Sequence, residues 1–269
     1  MVNLLAAVEC IRIAKESANR RPSYIKELVR GLKVFARDIG DIEIHRVTTE
    51  TIESWVSQRA KSPGARATRI SRLSTLFEFS RRRRWITENP CEFLERVSID
   101  HPMPRILTLG EASLLIEACR TQRPRAFAWM ILCLFAGLRP EEAEGMQWRD
   151  IDFSACQIFV PASISKTRRH RYVDPPGRCF DHLSRALQIG SELPLNHQAK
   201  RRAQRHLRGV LEWESWPKDV LRHTCASMWL AVEPNAPRIS LQLGNSVSVL
   251  LRHYNCAVRK EVAEKFWCL

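Results

Sequence analysis

Four residues in the C-terminal half of this 269-residue chain stand in an order that suits phosphodiester chemistry. They are Arg139 in AGLRPEEA, Lys166 in SKTRRHR, Arg222 in VLRHTCAS and Tyr254 in RHYN. Two guanidiniums can neutralise the oxygens of a phosphate, an ammonium can protonate a leaving oxygen, and a phenol can be the nucleophile. Such a set could cut a phosphodiester without a metal ion. Each residue alone means little; order, spacing and apolar frames make the set specific.

Each member also has a plainer reading. Arg139 follows an apolar run, and Glu142 lies three residues on, on the same helical face. A carboxylate would orient the guanidinium and leave N–H groups for a phosphate, or the two could be a structural pair. Lys166 falls between two expected strands, at a hairpin tip that could enter a groove and donate a proton, or on a solvated basic loop. Arg222 opens LRHTCASMWLA, a helix with Leu221, Cys225, Met228 and Trp229 toward the core. There it needs an anionic partner, an internal carboxylate or a substrate phosphate. His223 reads as a satisfied histidine. Tyr254 has a phenol of pKa near ~10, a poor nucleophile unless cations surround it.

The elements that position these residues are mostly helical. Leu28, Leu32 and Phe35 repeat at helical spacing, and Thr48 or Thr49 caps a helix through Ile52 and Trp55. A third helix runs from about Gly64 to Arg81, with Ile70, Leu73, Leu76, Phe77 and Phe79 on one side and Arg66, Arg69 and Arg72 on another. VSIDHPMPRILT, with Pro102 and Pro104, is an extended linker. The expected boundaries are residues 1–97, a linker at 98–107, and 108–269. Thr108 and Glu111 form a capping box. Residues 112–146 read as two helices, the second (127–135) apolar throughout and therefore buried. Strands are expected at 148–153, 157–160 and 172–174, and helices after about residue 180.

Composition adds a partner class. Lys and Arg total 43 against 29 acids, a net charge of +14. That favours a polyanion, because counterion release drives binding to nucleic acid. Candidate phosphate contacts are Arg66, Arg69, Arg72 and Arg81, Arg82, Arg83 and Arg84 in the first part. Arg168, Arg169, Arg171, Lys200, Arg201, Arg202, Arg205 and Arg208 are those of the second. The nine cysteines are odd in number and scattered, with no zinc spacing, as for apolar core residues in a reducing cytoplasm. Cys256 is the one thiol near Tyr254. No apolar run approaches the ~20 residues of a membrane helix. The start, broken by Glu9 and Arg12, does not read as a secretory signal.

These motifs give a resemblance. Over nearly its whole length the chain is similar to the tyrosine recombinase (phage integrase) family. AGLRPEEA resembles the first arginine box, LRHT the second, and the run from LGN to Tyr254 the last, with Asn245 nine residues before Tyr254. ATRISRLSTLFEFSRRRRWITENP resembles part of the helical core-binding domain. The resemblance implies a mainly α fold with a small β-sheet: an N-terminal helical core-binding (SAM-like) domain, then a C-terminal tyrosine-recombinase catalytic domain of α+β type. It implies a site-specific recombinase that cleaves and rejoins double-stranded DNA through a 3′-phosphotyrosyl link. Tyr254 would attack, Arg139 and Arg222 would hold the phosphate, and Lys166 would protonate the 5′-oxygen. No cofactor or metal would be needed, and a homotetramer would assemble on DNA in the nucleoid. The tail VRKEVAEKFWCL, with Val262, Phe266 and Trp267 on one face, would dock on a neighbouring protomer or pack on its own domain. Two positions depart from the family: Asp219, three before Arg222, where His or Lys is usual, and Asn245, where His or Trp is usual. They leave open a second expectation, a catalytically impaired DNA-binding member acting as a recombination or regulatory factor.

Overall fold

In a computed structural model the chain divides into two compact units, Met1–His101 and Pro102–Leu269. The structure describes residues 2–95, 97–98, 103–254 and 258–269, with residues 252–254 described by backbone alone. Among the described residues no helix is long and apolar enough to cross a membrane.

Among the described residues the first unit has four α-helices: α1 (Leu4–Ser17), α2 (Pro22–Ile39), α3 (Thr49–Arg59) and α4 (Pro63–Arg82). Their apolar stripes meet in one core around Leu4, Ile11, Leu32, Phe35, Ile52, Leu76 and Phe77. Thr48, not Thr49, caps α3, its hydroxyl accepting from the Thr51 N–H at 3.3 Å. Ser62 caps α4, which has Pro63 in its first turn, where a missing N–H costs nothing.

The second unit opens with α5 (Leu109–Gln122), whose capping box joins Thr108 and Glu111 reciprocally. Then comes α6 (Phe127–Leu134), with all eight side chains buried. It is enclosed by α5, by α7 (Pro140–Gly145) and by two later helices. Where two helices were expected over residues 112–146, there are three, because Gly137 turns the chain between α6 and α7. Its φ is +63°, and an added Cβ would lie 2.4 Å from Leu243 Cδ2. Only glycine fits both the backbone and the space.

The sheet is antiparallel in the order β1 (Ile151–Asp152), β2 (Gln157–Val160) and β3 (Arg171–Val173). The first strand is shorter than expected, because residues 148–150 form a 3₁₀ turn closed by Gln147 N–H donating to Asp150 Oδ2 at 2.9 Å. The third strand begins and ends one residue earlier than expected: Val160 pairs with Arg171 and Ile158 with Val173. Asp174 leaves the sheet, its N–H donating to Gln242 Oε1 at 2.8 Å. Side chains alternate along a strand, so Arg171 shares the inward face of the buried Val173 while Tyr172 is exposed.

Among the described residues six helices follow: α8 (Cys179–Gln188), α9 (His197–Val210), α10 (Val220–Val232), α11 (Ala236–Leu243), α12 (Val247–Tyr254) and α13 (Lys260–Trp267). The helix α13 packs on its own unit. Phe266 stacks on Phe135 at 5.1 Å, and Trp267 Nε1 donates to Met228 O at 3.3 Å. Cys119, Cys133, Cys179 and Cys225 are buried in this unit; burial pushes the Cys119 thiol up to about 12, so it stays protonated and apolar. Cys256 lies outside the described residues.

Candidate active site

Three chain turns bring the two arginines together. Arg139 stands at the head of α7, directly after the Gly137 turn. Arg222 lies in the first turn of α10 and is buried. Asn245 follows Gly244, whose φ of +64° ends α11. Arg139 Nη2 donates to Gly244 O at 2.6 Å and to Asn245 Oδ1 at 2.9 Å. Arg222 Nη2 donates to Leu243 O at 2.7 Å and to the same Asn245 Oδ1 at 3.0 Å, while its Nη1 donates to Gly137 O. Each guanidinium is thus gripped by a backbone carbonyl of a glycine turn that belongs to another segment. Because both neighbours can only donate, Asn245 must present its oxygen to them, which turns its Nδ2 donor away.

Glu142 is the anion of the cluster and is 1% exposed. It accepts from Arg139 Nη1 at 3.1 Å and from the Arg139 backbone N–H at 3.2 Å. It also accepts from Arg171 Nη2 at 2.6 Å and from the Lys166 backbone N–H at 3.3 Å. Burial pushes its carboxyl up, but Arg171 first and then Arg139 outweigh burial and hold it at about 2. The expected pair with Arg139 is therefore present inside a larger network with two cations.

Lys166 lies exposed on the loop between β2 and β3, the hairpin position expected of it. Asp219 precedes α10 in a left-handed conformation, φ 53°, and its side chain makes no capping bond; its carbonyl accepts from the His223 N–H at 2.8 Å. Tyr254 ends α12, but its side chain lies outside the described residues.

The basic residues proposed for phosphate contact separate into groups. Arg168 and Arg169 are exposed on the β2–β3 loop. In the first unit Arg81 and Arg82 pair with Glu78, Arg72 with Glu27 and Arg66 with Glu53. Arg69 and Arg83 lie over the Trp55 and Phe79 rings; Arg84 is exposed. Pairs at a surface are weak and exchange readily for phosphate. Arg171 is a correction: its side chain is 10% exposed and engages Glu142 and, through Nε at 2.7 Å, Gln242 O. The strand register turns it inward. Lys200 is likewise buried, paired with Glu144, unlike its exposed neighbours Arg201 and Arg205.

Sequence reasoning missed the carbonyls of Gly137, Leu243 and Gly244, because every residue has one and only folding aims it. The glycines flanking Arg139 and Asn245 were the available signal.

No protein-family model matches the chain. In sequence it is similar to tyrosine recombinase XerC of Chlamydia muridarum, 23% identical over 254 residues, covering 86% of this chain and 80% of that one. It is 28% identical over 228 residues to tyrosine recombinase XerC of Pelotomaculum thermopropionicum, covering 75% and 73%. In structure it resembles lambda integrase, solved as a dimer bound to a COC′ core site, with a TM-score of 0.75, 16% identity and coverage of 96% and 97%. The same integrase has been solved as a tetramer on a Holliday junction, with a TM-score of 0.73, 17% identity and coverage of 93% and 77%. The fold is therefore that of the integrase-type enzymes, an α-helical unit followed by an α+β unit. In sequence the chain is thus similar to tyrosine recombinases, and in fold to lambda integrase.

Proposed function

We propose that this protein is a site-specific DNA recombinase that cleaves and rejoins duplex DNA through a 3′-phosphotyrosyl intermediate. The observation that carries the reading is the meeting of Arg139 and Arg222 at one oxygen, each held from behind by backbone carbonyls. Guanidiniums fixed in this way need little reorganisation to meet the charge of a pentacovalent phosphorane. The Tyr254 phenol releases its proton to water as its oxygen bonds to phosphorus, the P–O5′ bond breaks, and the Lys166 ammonium gives its proton to the departing oxygen. A 5′-hydroxyl of the partner strand reverses the step, so no external energy source is used. The DNA-bound dimer and tetramer of lambda integrase support duplex DNA as the partner and a homotetramer as the working form. Exposed Arg168 and Arg169, with the arginines of the first unit, supply phosphate contacts that position the duplex without reading its sequence. A recombinase acting on chromosomal DNA would work in the cytoplasm, at the nucleoid.

The test is trapping of a covalent adduct on nicked duplexes tiled across the DNA flanking the coding region. The expected result is an adduct with the wild-type chain and none with Tyr254→Phe. An adduct that persists in Tyr254→Phe would reject the nucleophile.

Asp219 and Asn245 favour a second reading, a DNA-binding member that has lost cleavage. Asn245 cannot carry a proton, and Asp219 sets a carboxylate one turn before Arg222. This reading expects salt-sensitive DNA binding, no adduct from the wild-type chain, and an adduct regained on Asp219→His with Asn245→His.

A further inference from the structure

We infer that Arg171, through Glu142, is a positioning residue for the proton donor Lys166. The inference rests on the recombinase reading above and concerns a side chain that the phosphate itself does not need. Arg171 closes the hairpin stem opposite Val160, five residues beyond Lys166. Its guanidinium ties three separate segments together. Nη2 meets Glu142 Oε2 on α7 at 2.6 Å, Nη1 meets Glu142 Oε1 at 3.4 Å, and Nε meets Gln242 O at the end of α11 at 2.7 Å. Glu142 Oε1 in turn accepts the backbone N–H of Lys166 and the guanidinium of Arg139. One buried carboxylate therefore carries the base of the general acid and the arginine that grips the phosphate. Gly244 leaves room for this tie: a Cβ there would lie 3.3 Å from the Arg171 guanidinium.

An exposed lysine on a ten-residue loop between Val160 and Arg171 has no rigid element of its own. Proton transfer requires its nitrogen within hydrogen-bond reach of the leaving oxygen, and misplacement of about 1 Å is costly in rate. Without Arg171 the Glu142 carboxylate keeps Arg139 and the Lys166 N–H as partners, but the hairpin stem is no longer tied to it, and the 3.3 Å bond from the Lys166 N–H is left to hold the loop to the phosphate site.

The consequence is specific to the leaving group. With an ordinary substrate the P–O5′ bond breaks as Tyr254 bonds to phosphorus, and the oxygen takes a proton from Lys166. With a 5′-bridging phosphorothiolate the P–S bond breaks and sulfur departs as a thiolate, which needs no proton. The experiment measures single-turnover adduct formation on both forms of a nicked duplex that the wild-type chain cleaves. Arg171→Gln is expected to slow the oxygen substrate by about 10²-fold, the scale of general-acid catalysis, and to cleave the sulfur substrate at nearly the wild-type rate. Lys166→Ala is expected to show the same pattern, and Arg171→Lys a smaller loss. Should Arg171→Gln or Arg171→Lys slow both substrates equally, Arg171 acts through Arg139 or through the fold, and the inference is overturned. A Gln variant too unstable to assay leaves the Lys variant to decide. Failure of the wild-type chain on every duplex rejects the recombinase reading itself, and the inference with it, a result distinct from any pattern among variants.

Discussion

The side-chain oxygen of Asn245 lies 2.9 Å from Arg139 Nη2 and 3.0 Å from Arg222 Nη2. A neutral carbonyl thus holds two like charges side by side and leaves their positive field intact. A carboxylate in its place would hold them as well and cancel part of that field.

Two substitutions at this position separate holding from field strength. Asn245→Asp is expected to keep or raise the melting temperature and to reduce adduct formation by about 10²-fold or more, since an anion now opposes the phosphate. Asn245→Leu removes the acceptor and is expected to cost about 1–3 kcal/mol of stability, because buried charged donors lose a partner. Thermal melts and adduct assays on both variants check this; an Asp variant as active as the wild type would show that the arginines do not act through their net charge.

Acid stability should report Glu142. Its carboxyl is held at about 2, against an ordinary value of 4.5. A carboxyl whose pKa is lowered by folding contributes stability that is complete above its unfolded value and is lost as pH falls through its folded value. Glu142→Gln is expected to cost about 3–5 kcal/mol near neutral pH, as two guanidiniums lose their anion. That difference from wild type should shrink as pH drops from 4.5 toward 2. Urea titrations of both chains across this range measure it; a constant difference would show that the charge of Glu142 is not what folding uses.

Gly137→Ala places a methyl 2.4 Å from Leu243 Cδ2 at a φ of +63°, whereas Gly190→Ala has a φ of +74° and nothing within 4 Å. Gly190→Ala is expected to cost about 1 kcal/mol from backbone strain alone, and Gly137→Ala clearly more, because strain and overpacking add. The second change also moves the carbonyl that Arg222 uses, so adduct formation should fall only there. Equal losses in the two variants would refute the packing argument.

The base of α9 is tied to α7 by Lys200, buried against Glu144, with His197 Nδ1 2.9 Å from the same carboxylate. Glu144→Ala is expected to cost about 3–5 kcal/mol, the scale for stranding a buried charge. Adding Lys200→Met should restore most of it, since an apolar pair fills the same place. Denaturant midpoints of the two variants test this; a double variant as weak as the single would show that the loss comes from packing.

Much of the site was legible before folding. The AGLRPEEA and LRHT frames marked Arg139 and Arg222 because arginine beside an apolar run is costly without a purpose, and Glu142 was legible from helical spacing. Lys166 was placed on its hairpin by the strands around it. Arg171 was misread because a basic run, TRRHR, looks uniform in sequence. A one-residue difference in strand register decides which member faces inward. The tail, legible only as an amphipathic helix with two possible hosts, found its own: Phe266 against Phe135 and Trp267 against Trp229.

By itself, then, the sequence determined which chemical groups exist and on which kind of element each rides, since helix periodicity, caps and glycine turns are local properties of the chain. Only the tertiary structure decided which carbonyls grip the arginines and which arginine stands behind Glu142. Those partners lie as much as 106 residues apart, as Arg139 and Asn245 do, and no local rule couples positions that meet only when the core closes around α6.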